Sequence, residues 1–133
     1  MYTMMQVCRE LDMTYQTLKF YCNEGLIPHV KRDGNNRRVF DEKDVKWIKD
    51  LTCLKRCGLS IQEMKEYLAL CLQGESTLIA RKELLAKKRE ELCRAIKELE
   101  ESIAYIDWKQ DFYEEVLSGR RPYVSNLIRT EDA

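Results

Sequence analysis

From Glu75 to Ser118 the chain runs 44 residues without a proline or a glycine. This stretch constrains the fold more than any other, because a helix of that length would extend about 65 Å at 1.5 Å per residue. Leu78, Leu85, Leu92, Leu99, Ile106 and Tyr113 recur seven residues apart, and Ile96, Ile103 and Leu117 fill the companion core position. Lys82 and Arg89 occupy that companion position earlier, so the seam is weak at first and strong from Leu92 to Ile106. A lone helix leaving this stripe in water forgoes about 1.5 to 3 kcal/mol for each large aliphatic side chain. The spacing therefore predicts a partner helix, most simply from a second copy, since the span outruns its own domain; a helix folded back on that domain is the alternative. Gly119 and Pro122 end the pattern, leaving a tail in which Tyr123, Val124, Leu127 and Ile128 could dock on the body.

The residues before Glu75 carry shorter signals. Thr3 and Gln6 have capping-box spacing ahead of Met4, Val7, Cys8 and Leu11. After Asp12 and Met13 a second start falls at Thr14, with Tyr15, Leu18, Tyr21 and Cys22 at helical spacing until Gly25. Two short helices joined tightly form a helix-turn-helix pattern. Pro28 breaks it, and His29 to Phe40 reads as a hairpin with Val30 on one arm, Val39 and Phe40 on the other, and Asp33 to Asn36 at the tip. Asp41 opens a third helix through Val45, Trp47, Ile48, Leu51 and Leu54 to Gly58, and Ser60 with Glu63 opens a fourth through Met64, Tyr67, Leu68 and Cys71 to Gly74. The expected fold is mainly α: a winged helix-turn-helix head over residues 1–74, a dimerisation helix over 75–118, and a tail over 119–133.

Charge supports that division. The chain totals 23 basic and 23 acidic residues, but residues 1–60 hold 11 against 8 and residues 61–133 hold 12 against 15. A basic head and an acidic remainder suit a molecule whose head alone meets an anion. Lys31, Arg32, Arg37 and Arg38 flank the hairpin tip with only Asp33 among them. They could be a solvated loop, but directly after a helix-turn-helix they fit a phosphate-contacting wing. No run approaches the roughly 18 apolar residues of a membrane span, and no signal peptide opens the chain, so the expectation is a cytoplasmic protein without a membrane partner. Without a secretory signal, Cys8, Cys22, Cys53, Cys57, Cys71 and Cys93 are expected as reduced thiols rather than a disulfide framework.

The segment MTYQTLKFYCNEGLIP, Met13 to Pro28, resembles the pattern VSPRTLRYYEEIGLLKP of the MerR family of bacterial transcription regulators. Arg38, Val39 and Phe40 resemble its wing residues RLY, and LKRCGLSIQEMKEYL, Leu54 to Leu68, resembles LRELGFSLEEIKELL. The resemblance covers about the first 72 residues by motif and the long helix by architecture. It implies a homodimer that is joined by an antiparallel coiled coil of the long helices, binds a palindromic promoter element in double-stranded DNA and distorts it in response to an effector, realigning promoter elements for RNA polymerase. Carried over by position, Gln16, Thr17, Lys19, Phe20 and Tyr21 fall on the recognition helix and its exit, with Arg38 on the wing. Gln and Lys can reach base edges, whereas Arg and a Tyr hydroxyl bind phosphate. Gln16 stands where the pattern has Arg, Phe20 where it has Tyr, and Asn36 with Arg37 where the wing has Gly and Tyr. These departures leave the operator open, and either Asp33 with Gly34 or Asn35 with Asn36 could form the turn.

Metal-responsive members of the family carry a cysteine near the start of the dimerisation helix and a cysteine pair in the loop after it. Gly119 to Ile128 contains no cysteine, histidine or acid. A better resemblance is to the aldehyde- and electrophile-responsive subgroup called NmlR-like or AdhR-like, which carries a cysteine at the Cys53 position. At about 100° per residue, Cys53 lies roughly 165° from the mean direction of its helix's apolar residues. Lys46 and Lys49 share its side, and nearby cations favour the thiolate that would attack an aldehyde or quinone. Cys57 lies one turn further on, which keeps a redox or metal-responsive regulator using Cys53 and Cys57 as an alternative, although two thiols do not complete a zinc shell. Cys53 could equally be a small packing residue at a dimer contact. Cys8, Cys22 and Cys93 read as packing residues.

Two other classes compete. A coiled-coil adaptor would use the acidic helix but has no need of four hairpin cations. A small thiol enzyme lacks partners, because His29 is the chain's one histidine and no Ser/His/Asp set can form. No enzyme activity and no cofactor are expected.

Overall fold

The computed structural model describes residues 1–128 and has two compact units, Met1–Glu90 and the residues from Glu91 onward. In the first, strand β1 (Tyr2–Thr3) leads into helix α1 (Met4–Leu11), followed by α2 (Tyr15–Asn23), β2 (Lys31–Arg32), β3 (Arg38–Phe40), α3 (Glu42–Arg56) and α4 (Ile61–Leu72). A 3-10 turn over Glu75–Thr77 then opens α5 (Leu78–Leu117). The long helix thus begins three residues later than its composition suggests.

Helices α1 to α4 each start where the sequence places a cap. Thr3 Oγ1 accepts the Gln6 N–H at 3.2 Å while Gln6 Oε1 accepts the Thr3 N–H at 2.9 Å, and Ser60 with Glu63 makes the same reciprocal pair. Thr14 Oγ1 accepts the Thr17 N–H at 3.1 Å to open α2. Asp41 caps α3 through the Asp44 N–H at 2.8 Å, and Asp44 returns the bond at 3.0 Å. Gly25 leaves α2 at φ +73, a conformation that a side chain would strain.

Val7, Leu18, Leu26, Phe40, Ile48, Leu51, Leu59 and Met64 are fully buried and join α1 to α4 and the wing around one core. Trp47 is half-buried against that core, donates its indole N–H to Leu26 O at 2.7 Å and stacks on Tyr67. The sheet has the order β1-β3-β2, antiparallel throughout, with Tyr2 opposite Phe40 and Lys31 opposite Val39. The pairing of β1 with the wing has no local signal in the sequence. Tyr2 reinforces it by donating its hydroxyl to Glu42 at 2.7 Å.

The first turns of α5 belong to the first unit. Thr77 is buried, with Oγ1 2.5 Å from Leu70 O and accepting from Arg81 Nε at 3.0 Å, while Arg81 Nη2 donates to Gly74 O at 2.7 Å. Leu84 packs on the core, and Lys88 pairs with Glu63 at 3.2 Å. These contacts lie within the first unit, which extends to Glu90.

In the second unit, Leu92, Ile96, Leu99, Ile103, Ile106 and Tyr113 are between 41% and 64% exposed. Cys93, expected to pack, is exposed as well. Trp108 stacks on Phe112, and the Arg121 guanidinium lies over Phe112 while pairing with Glu115. The N–H groups of Arg120 and Arg121 both reach Glu115 O, closing the end of α5 beyond Leu117. Tyr123, Val124, Leu127 and Ile128, expected to dock on the body, are all exposed. The rest of the tail, 129–133, lies outside the described residues. No helix among the described residues is long and apolar enough to cross a membrane.

Candidate nucleic-acid interface

The outer face of α2 carries Gln16, Lys19 and Phe20, all exposed. Thr17 is half-buried at the third helical position, its hydroxyl 2.8 Å from that of Thr14, so it fixes the helix start. Tyr21 corrects the expectation. It is 3% exposed, and burial pushes its phenol pKa up, which makes it a core residue supporting α2 from behind.

The wing turn is centred on neither of the two pairs expected, Asp33 with Gly34 or Asn35 with Asn36, because the Asp33 side chain and carbonyl draw the turn around the residues between them. The Asn36 N–H bonds to Asp33 O at 3.0 Å, Asn36 takes a left-handed φ of 60, and Asp33 Oδ1 accepts the N–H groups of Asn35 and Arg37, both at 2.9 Å. Gly34 and Asn35 are the central pair, and Asn36 follows as the left-handed residue of a three-residue hairpin loop. His29, also left-handed at φ 58, is exposed at the hairpin's entry.

The four wing cations differ in their surroundings. Lys31 Nζ lies 2.8 Å from Asp41 and 3.7 Å from Asp44, so it is committed to the start of α3 rather than held free for a phosphate. That hydrogen bond and the capping N–H of Asp44 hold the Asp41 carboxyl down at about 2. Arg32 donates to Asn36 O at 3.0 Å, and Arg38 to Asn23 Oδ1 at 2.8 Å. Arg37 has no side-chain partner among the described residues. Arg32, Arg37 and Arg38, together with Tyr15 of α2 and Met4 and Met5 of α1, border a cleft of about 440 Å³. Tyr15 and Asn23 were not anticipated: Tyr15 reads as one more apolar helical position, and Asn23 is marked only by lying near the Gly25 stop.

On α3, Cys53 is exposed as the helical angle predicts, and Cys57 caps the helix with its N–H bonded to Cys53 O at 3.0 Å. Burial pushes the Cys8 thiol up, consistent with packing. Among the described residues no group of three or more His, Cys, Asp or Glu side chains could hold a metal ion.

A capped recognition helix and an arginine-bearing wing on one core define a winged helix-turn-helix DNA-binding module. The chain matches the family described as "MerR HTH family regulatory protein" over residues 2–71, and the one described as "MerR, DNA binding" over residues 45–108. It belongs to the MerR family of DNA-binding transcriptional regulators. It is 42% identical over 87 residues to the HTH-type transcriptional regulator AdhR of Bacillus subtilis, a stretch covering 65% of this chain and 62% of AdhR. It is also similar to the crystal structure of HiNmlR, described as a MerR family regulator lacking the sensor domain and bound to promoter DNA, at 30% identity and a TM-score of 0.70, covering 88% of this chain and 93% of that one. A MerR family regulator structure from Listeria monocytogenes shares 34% identity at a TM-score of 0.76, covering 90% and 91%. These relatives are regulators, not enzymes.

Proposed function

We propose that this regulator binds a palindromic promoter element as a homodimer and alters its geometry for RNA polymerase when a small electrophile reacts with Cys53. The observation that carries the DNA-contact reading is the cleft where α2 meets three wing arginines, since arginine forks suit phosphate and the exposed Gln16 and Lys19 suit base edges. Phe20 would add apolar contact, and Thr17 would act by holding the helix start. Dimerisation is supported by the exposed heptad seam of α5, which an antiparallel partner helix would cover.

The effector reading rests on the exposed Cys53 thiol and on likeness to AdhR and HiNmlR. With an aldehyde, the Cys53 sulfur attacks the carbonyl carbon, a C–S bond forms, the carbonyl π bond breaks, and its oxygen takes the proton the thiol gives up. The product is a hemithioacetal, and no oxidant is required. A redox-responsive regulator using Cys53 and Cys57 is the second reading, favoured by their position one turn apart.

Affinity for a duplex from the gene's upstream region should fall steeply with salt and exceed affinity for random duplex. Equal affinities, or a flat salt series, defeat the promoter reading. Promoter output under aldehyde challenge should be lost in Cys53→Ser and kept in Cys57→Ser. Loss in both variants under diamide would favour the redox reading instead.

A further inference from the structure

Asp33, Asp41, Asp44 and Glu24 all have partners other than the wing guanidinium groups. Asp33 accepts the backbone N–H groups of its own turn, and Asp41 and Asp44 share Lys31. Glu24, at the end of α2, pairs with Lys65 of α4 at 2.9 Å. The arginines are held instead by neutral oxygens: Arg32 by the Asn36 carbonyl and Arg38 by the Asn23 side-chain amide. The thiol of Cys22, next to Asn23, lies within the field of Arg38 and Arg32, which pull its pKa down against the upward push of burial. Two uncharged residues therefore face two guanidinium groups. In the family pattern that this segment resembles, both positions carry glutamate.

A carboxylate at residue 23 would make a charge-assisted bond to Arg38 and compete with phosphate for it. An amide makes the same bond without neutralising the charge. We propose that Asn23 is a positioning residue that holds Arg38 in place for a DNA phosphate while leaving its full charge available, so that its neutrality sets part of the affinity for DNA. The proposal rests on Arg38 being a phosphate contact. It concerns the sequence-independent part of binding, so a random duplex serves as the probe.

The test compares Asn23→Asp, Asn23→Ala, Arg38→Ala and the Asn23→Asp/Arg38→Ala double variant, with fluorescence anisotropy on a labelled random-sequence duplex across a salt series. Asn23→Asp adds a charge at constant shape. It should weaken binding several-fold at low salt and make the slope of log K against log salt shallower by about 0.9, the value of one phosphate. Asn23→Ala should weaken binding with the slope unchanged, because the arginine keeps its charge but loses its hold. The double variant should match Arg38→Ala, since the aspartate then has no charge to cancel. Circular dichroism checks that each variant is folded; Asn23 is exposed, so its substitution leaves the core intact.

If Arg38→Ala lowers the slope and Asn23→Asp does not, the proposal is overturned while the phosphate contact stands. If Arg38→Ala leaves the slope unchanged, the phosphate contact itself fails and takes the proposal with it. Wild-type binding by Asn23→Ala would overturn the positioning role.

Discussion

Single side chains set how firmly the DNA-facing elements are held. Thr14 gives α2 its cap and a hydroxyl contact to Thr17, so Thr14→Ala should cost about 1 kcal/mol, read as a lower urea midpoint at unchanged m. An unchanged midpoint would mean that water replaces the cap fully. Asp41 brings a pH dependence. Its carboxyl sits at about 2 against an ordinary 3.8, so the folded chain takes up that proton less readily than the unfolded one. The stability this provides is complete above about pH 5 and is lost as pH falls through the folded value. Asn is also a good cap, so Asp41→Asn removes the charge and little else. The gap in denaturation midpoint between wild type and Asp41→Asn should shrink from pH 5 downward and close near pH 2. A constant gap would show that the Lys31 pair does not persist in solution.

At the scale of elements, legibility followed distance along the chain. The four caps were visible because donor and acceptor lie three residues apart, and the wing because its turn residues cluster at the tip. The tether of Lys31 to Asp41, the hold of Asn23 on Arg38 and the pairing of β1 with β3 link residues ten or more apart, and only the folded core brings them together. Tyr21 was misplaced because its helix must present one face to the core and one outward, and a tyrosine suits either. The heptad seam was legible from spacing alone, and its exposure in the single chain leads to the element-scale prediction. Ile103→Asp should convert a dimer to a monomer in sedimentation velocity, since a buried charge replaces a side chain whose burial contributes about 1.5 to 3 kcal/mol. If the variant sediments as wild type, the seam is not the dimer contact.

For the molecule as a whole, charge separates the roles. Residues 1–60 are net basic, and on the wing Lys31 is bound to acids while Arg32, Arg37 and Arg38 are not, so the field toward DNA arises from fewer groups than the sequence suggests. Arg37, whose side chain has no partner among the described residues, should report this most directly. Arg37→Ala should reduce the salt slope by about one unit with no change in thermal midpoint, whereas Lys31→Ala should lower the midpoint and leave the slope nearly intact. Reversal of these two outcomes would assign the phosphate contact to Lys31.

The two tryptophans stand one in each compact unit. Trp47 is half-buried, bonded through its indole N–H and stacked on Tyr67, whereas Trp108 is 59% exposed. Their emission maxima should differ, with Trp47 the bluer, and Trp108→Phe would leave a fluorophore that reports on the head alone. Heating such a protein while following its light output and the helical ellipticity together would tell whether the DNA-reading half and the long helix melt as one body or in succession.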